Sequence, residues 1–291
     1  MKLVRFGPPG RERPGLWLGR EAPDPEARIL DVSAMAFDIR DFNEPFFAHW
    51  GLERLEGLLK ERGQELVSAA GVRLGPPIAR PANIICLGAN YAAHAAEFGS
   101  EVPATPVFFS KASSSLCGPF DPIVLPRGAT VVDAEAELAV VIGKEARRVP
   151  ESRAMDFVAG FMVLNDVTDR VAQRADKQWF RAKSSDTFCP AGPFLVTPDE
   201  AGDPHALRLY SRHNGEPLQE ACTADMLFPI PHLISVLSAR MTLRPGDVIA
   251  TGTPPGIGSA RTPPRVLAGG DTVELGITGL GGQRNSVVAE G

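Results

Sequence analysis

The run VVDAEAELAVVIG (131–143) constrains this chain more than any other segment. It reads as a buried strand, yet it carries Glu135 and Glu137. Residues at i and i+2 of a strand point to the same face, so the two carboxylates share one space. Asp166 closes a second apolar run, FVAGFMVLND (157–166). Three converging carboxylates repel one another and lose hydration unless a divalent cation compensates. Oxygen-only ligation with room for water suits Mg²⁺ or Mn²⁺ better than Zn²⁺. An alternating strand whose glutamates face solvent has the same spacing, so the remaining motifs must decide between the two.

With 291 residues the chain can form one large domain, or one domain plus a small appendage. A formal charge of −5 argues against a nucleic-acid surface, which needs clustered cations. Arg147-Arg148 reads as a solvated turn. The 29 glycines and 27 prolines are spread along the chain, which fits many short strands joined by turns better than a helical bundle. No apolar run is long enough for a membrane span, and the N-terminus MKLVRFG lacks the apolar core of a signal peptide, so a cytoplasmic protein is expected. Cys86, Cys117, Cys189 and Cys222 have neither CxxC spacing nor zinc-finger partners and read as small hydrophobes.

Residues 1–75 form a small N-terminal accessory domain in this reading. Strands are predicted at 3–6, 15–18 and 29–32, followed by one helix over 46–60 with leucines at 52, 55, 58 and 59. His49 there is a structural or surface histidine. Three prolines in GPPIARP (75–81) mark the linker to a catalytic domain over 76–291. Strands then dominate, at 84–87, 107–109, 135–142, 158–164, 194–196, 207–213, 247–250 and 272–275. Helices are few, at 91–98, 168–175 and 231–238.

Several motifs can carry chemistry. In GANYAAHAAEFG (88–99), Asn90 is a candidate N-cap, while His94 and Glu97 share a helix face. A carboxylate beside imidazole fixes its tautomer and raises its basicity, which suits activation of water. A surface His–Glu pair has the same spacing. Lys111 in VFFSKASSSL can hold a substrate carboxylate or sit at a solvated strand end. Arg170 and Gln173 share a face of the helix after Asp166, as an ordinary polar face would also have them. Lys183 lies among aromatic neighbours, where a lysine wants an anionic partner, unless its loop is simply at the surface. PGDVIATGTPPGIG (245–258) lacks phosphate-loop spacing; it can present Thr251 or Thr253 and backbone N–H groups to a small anion, or be a plain turn.

In this order the segments LGANYAAHAAEFG, VFFSKASSS, DAEAELAVVIGK, VLNDVTDR, KSSDTFCPAGP, LRPGDVIATGTPPGIG and LAGGDTVELGITGLGGQRN resemble the fumarylacetoacetate hydrolase family. The resemblance implies an α+β, mainly β fold, a mixed β-sandwich or roll with few short helices, and usually a homodimer. It implies that Glu135, Glu137 and Asp166 bind Mg²⁺, Mn²⁺ or sometimes Ca²⁺. It further implies that His94 and Glu97 activate water from a mobile lid helix, with Lys183 as a further catalytic group. Lys111, Arg170, Gln173 and Thr253 would line the substrate. Family members often read NDVSARD where this chain has NDVTDRV, so Asp169 and Val171 are departures that bear on pocket charge and substrate choice.

The reaction implied is hydrolytic C–C cleavage of a 2,4-diketo acid, an acylpyruvate-like compound, to pyruvate and a carboxylate, with enolate charge developing beside the metal. Oxaloacetate decarboxylation, and hydration, isomerisation or lyase chemistry on 2-oxo acids, use the same apparatus. His94 and Glu97 together favour hydrolysis, because a decarboxylase needs no activated water. A non-catalytic 2-oxo acid binder would not need that pair.

Overall fold

The computed structural model describes residues 1–97, 99 and 101–291. Two sheets organise it. The larger has eleven strands, in the order Leu66–Ser68, Arg28–Asp31, Arg13–Leu18, Lys2–Phe6, Leu195–Val196, Val158–Asn165, Ala136–Ile142, Val248–Ala250, Ile84–Gly88 and Val107–Lys111, with Leu74–Gly75 also paired to Lys2–Phe6. The smaller sets Glu216–Cys222, Arg208–His213, Thr272–Ile277, Gly281–Ala289 and Ile123–Leu125 side by side. Pairing is mostly antiparallel, but Val248–Ala250 runs parallel to Ile84–Gly88, so the large sheet is mixed. The fold is α+β and mainly β, as expected.

Ala136–Ile142 is buried along its whole length, because both of its faces are covered. Leu138, Val140 and Ile142 pack with Leu209, Val273 and Leu275 of the smaller sheet. Ala139 and Val141 pack on the other side with Met162, Leu164 and the N-terminal Phe42, Phe46 and Leu55. Alternation then puts Glu137 and Glu135 on the face of Ala139 and Val141, where the apolar packing gives way to the site.

Residues 1–75 extend the same sheet, through Lys2↔Val196 and Leu3↔Leu195. The single helix expected over 46–60 is two helices, Glu44–Ala48 and Gly51–Leu58. Trp50 takes a left-handed φ of 58°, and a Cβ at Gly51 would collide with the carbonyl of Phe46, so the chain turns there. The helix expected from 168 starts at Arg170, because Thr168–Asp169 instead pairs with Val132–Asp133. Glu216–Cys222 was not anticipated. It follows a two-residue turn at Asn214-Gly215, both at positive φ, a strong hairpin signal. Of the helix expected over 91–98, Ala92–Glu97 forms, and position 98 lies outside the described residues. No helix is long and apolar enough to cross a membrane among the described residues.

Candidate metal centre and active site

Strand register assembles the acids. Ala136 pairs with Asn165, and the Asp166 N–H donates to the Glu135 carbonyl at 3.0 Å. Asn165 Oδ1 accepts from the Glu135 N–H at 3.1 Å and pins the strand end. Ligand oxygens of Glu135, Glu137 and Asp166 come to lie within 4.8 Å of one another, all buried.

Three cations serve these carboxylates. Lys183 Nζ donates to Glu135 Oε2 at 2.8 Å, Asp166 Oδ2 at 2.6 Å and Thr168 Oγ1 at 2.9 Å, and it lies 4.8 Å from the centroid of the Phe109 ring. Arg170 Nη2 donates to Glu135 Oε1 at 2.6 Å, and its Nη1 to Gln173 Oε1 at 3.0 Å. Lys111 Nζ donates to Asp166 Oδ1 at 2.7 Å and to the Val167 carbonyl at 3.3 Å. Lys111 is fully buried behind Asp166 and does not line the cavity, which departs from its expected place beside the substrate. Its charge acts on Asp166 instead.

The two glutamates sit in opposite fields. Burial pushes the Glu135 carboxyl up, but Arg170, Lys183 and His94 outweigh that and hold it well below the usual carboxylate range. Glu137 is driven well above that range by burial and by the negative charges of Asp166 and Glu135. Glu137 Oε2 accepts from the Gly252 N–H at 2.8 Å, and no cationic side chain pairs with Glu137 among the described residues. A divalent ion would supply the countercharge that this carboxyl lacks. Each carboxylate oxygen has two lone pairs, so one that accepts from a lysine can still ligate. An all-oxygen set of three acids fits Mg²⁺ or Mn²⁺.

Above the acids lies a cavity of about 300 Å³. His94 lines it from helix Ala92–Glu97. Its Nδ1 is 3.2 Å from Glu97 Oε2, and Glu97 Oε1 accepts from the Gly256 N–H at 2.6 Å. A donor role at Nδ1 makes Nε2 the basic nitrogen. Thr253, Gln173, Arg170 and Lys183 also line the cavity. Trp179 closes one wall by packing on Gly88, where a Cβ would come within 2.9 Å of the indole.

Two site residues escaped the sequence reading. Asp133 accepts from the N–H groups of Ala134 (2.8 Å), Gly258 (3.1 Å) and Ser259 (2.9 Å) and from Arg170 Nη2 (3.3 Å), so it steadies the guanidinium that holds Glu135. Its signal was present, since 133, 135 and 137 share one alternation. Gln219 Oε1 accepts from the Ala136 N–H (3.0 Å) and Ser211 Oγ (2.9 Å), while Nε2 donates to Thr253 Oγ1 (2.7 Å) and the Pro254 carbonyl (2.8 Å). It thereby ties the strand of the two glutamates to the loop of Thr253.

Two expectations are corrected. Asn90 is no N-cap: its side chain accepts from the Phe228 N–H at 2.8 Å and donates to the Thr251 carbonyl at 2.8 Å, stitching buried loops together. Asp169 adds no charge to the cavity wall. It caps helix Arg170–Ala175 by accepting from the N–H groups of Val171 (2.9 Å) and Ala172 (3.1 Å), and Val171 faces outward.

The family model for the fumarylacetoacetate hydrolase C-terminal domain matches residues 83–288. A relative from Burkholderia multivorans, which carries only a provisional hydrolase name, is 46% identical over 285 residues, 97% of each chain. The crystal structure of maleylpyruvate hydrolase from Sphingobium sp. SYK-6, in complex with manganese(II) and pyruvate, superposes with a TM-score of 0.80 at 32% identity over 100% of both chains. The 5-carboxymethyl-2-hydroxymuconate delta-isomerase from Mycobacterium smegmatis gives 0.78 at 36% identity, again over 100% of each chain. Sequence, fold and acidic centre agree that this chain belongs to the fumarylacetoacetate hydrolase family.

Proposed function

We propose that the protein is a metal-dependent hydrolase that cleaves the C3–C4 bond of a 2,4-diketo acid, giving pyruvate and a carboxylic acid. The observation that carries this reading is a buried three-carboxylate centre, two of whose acids, Glu135 and Glu137, line the same cavity as a carboxylate-held histidine. Glu135, Glu137 and Asp166 would hold Mg²⁺ or Mn²⁺, which supplies Lewis-acid polarisation of the 2-oxo acid end when bound. His94, with Nδ1 held by Glu97, takes a proton at Nε2 from the water that attacks C4. The electron pair of the broken bond passes to the pyruvate fragment, and His94 returns the proton to C3. Lys183 and Arg170 are preset positive charges on that side, the arrangement that stabilises developing negative charge best. Thr253 and Gln173 orient the substrate, and Lys111 acts through Asp166. The family resemblance also supports a homodimer, with 1–75 as accessory and 76–291 as catalytic domain.

Pyruvate release from acetylpyruvate and from oxaloacetate, with Mg²⁺ or Mn²⁺, tests the reading in the parent, His94→Ala and Glu135→Ala. Cleavage of acetylpyruvate that both substitutions abolish supports the hydrolase. Turnover of oxaloacetate alone, surviving His94→Ala, replaces it with a decarboxylase. The likeness to the delta-isomerase supports a second reading, in which His94 moves a proton between carbons of a 2-hydroxy-dienoate. Loss of diene absorbance without pyruvate release would install that one.

A further inference from the structure

One cation lining the cavity takes no part in the acidic centre. Arg170 and Lys183 both engage Glu135. Arg174, in the last turn of helix Arg170–Ala175, also lines the cavity. Among the described residues it forms no hydrogen bond or ion pair. It lies on the face of Arg170, about 6 Å further along the axis. Gln173, between them, has its Oε1 engaged by Arg170. The acids of the cavity wall, Glu135 and Glu137, are both at its floor. Phe109 and Trp179 form an apolar side wall, edge to face at 5.2 Å. The cavity thus runs from a charged floor, past aromatic rings, to an uncommitted guanidinium at its rim. A planar, permanently charged fork beside a partly desolvated wall favours a carboxylate over an alkyl end.

We propose that Arg174 is a specificity-determining residue that reads a second carboxylate at the far end of the substrate. The preferred substrate is then a diketo diacid rather than an alkyl acylpyruvate. This rests on the 2-oxo acid reading of the floor given above.

The test compares ligands of equal length that differ only at the far end. Calorimetry on the Mn²⁺-loaded full chain gives Kd for 2-oxoglutarate against 2-oxopentanoate, and for 2-oxoadipate against 2-oxohexanoate. Each pair is measured in the parent, Arg174→Met and Arg174→Lys. In at least one pair the parent should favour the diacid by roughly tenfold, Arg174→Met should bring the ratio to about one, and Arg174→Lys should keep part of it. A preference that persists in Arg174→Met overturns the assignment, as does a parent that binds both members equally. Equal loss of both members in Arg174→Met overturns it too, because the arginine would then hold the carboxylate beside the 2-oxo group. A parent that binds none of the four ligands overturns the 2-oxo acid reading itself, and the assignment with it. The readout is affinity, so it stands whether or not the enzyme turns over acetylpyruvate.

Discussion

Two residues apart, on either side of the first residue of strand Ala136–Ile142, Glu135 and Glu137 should respond in opposite ways to the same chemical change. Glu135→Gln strands Arg170 and Lys183 in the interior without their shared countercharge, which should cost about 3–5 kcal/mol by urea unfolding. Glu137→Gln removes a carboxyl that its neighbours already disfavour as an anion, and the amide oxygen can still accept from Gly252. Its apo stability should stay within about 1 kcal/mol of the parent, while the rise in Tm on adding Mn²⁺ disappears, since only a native state that binds gains by linkage. Equal losses in the two variants would refute this electrostatic division. Gln219→Leu is a third case at this scale. It leaves buried donors and acceptors of Ala136, Ser211 and Pro254 unsatisfied, and it should cost about 2–4 kcal/mol in the same unfolding assay.

Among the elements, helix Ala92–Glu97 carries His94 into the cavity and is tied by Glu97 to the Gly256 N–H, with Asn90 just before it held to the Thr251 carbonyl. A lid must open to admit substrate and close to exclude water. Amide exchange over 91–97 should therefore be fast in the free protein and slow with oxalate and Mg²⁺. Slow, unchanged exchange would rule out a mobile lid. The hairpin through Asn214-Gly215 makes a prediction about pH. Burial raises the Asp271 carboxyl, but Asn214, the Ala268 N–H and His213 together hold it below the usual carboxylate range. A lowered folded value stabilises the fold above the unfolded value near 3.9, and the contribution fades as pH falls through the folded one. Asp271→Asn should thus cost about 1 kcal/mol or less at pH 7, because solvent screens the partly exposed carboxylate, and progressively less below about pH 4. A constant gap across that range would refute it.

For the whole molecule, residues 1–75 contribute strands to the sheet that carries the acids. Arg73 meets Asp121 and Lys2 meets Glu200 across the join, while Arg5 with Asp41 and Glu12, and Arg73 with Glu12, tie residues 1–75 to one another. A fragment of residues 76–291 would bare the edge of Leu195–Val196 and the apolar face that now meets Phe42, Phe46 and Leu55. It should aggregate or lose its cooperative unfolding transition, because an open apolar edge templates association. A monomeric fragment that unfolds cooperatively would show that the segment is dispensable for folding.

What could be read from the chain itself was chemistry that alternation or helix spacing brings together. Glu135 with Glu137 follows from a strand's period of two, and His94 with Glu97, like Arg170 with Gln173, from a helix turn. These contacts span two or three residues, so local backbone geometry is enough to form them. Tertiary structure alone decided the rest. Gln219 meets Ala136 across 83 positions and Asn90 meets Thr251 across 161. Lys111 ends behind Asp166, 55 positions away, and not in the cavity. Contacts of that reach depend on register and on which sheet face is covered, and neither is encoded in a short window of sequence.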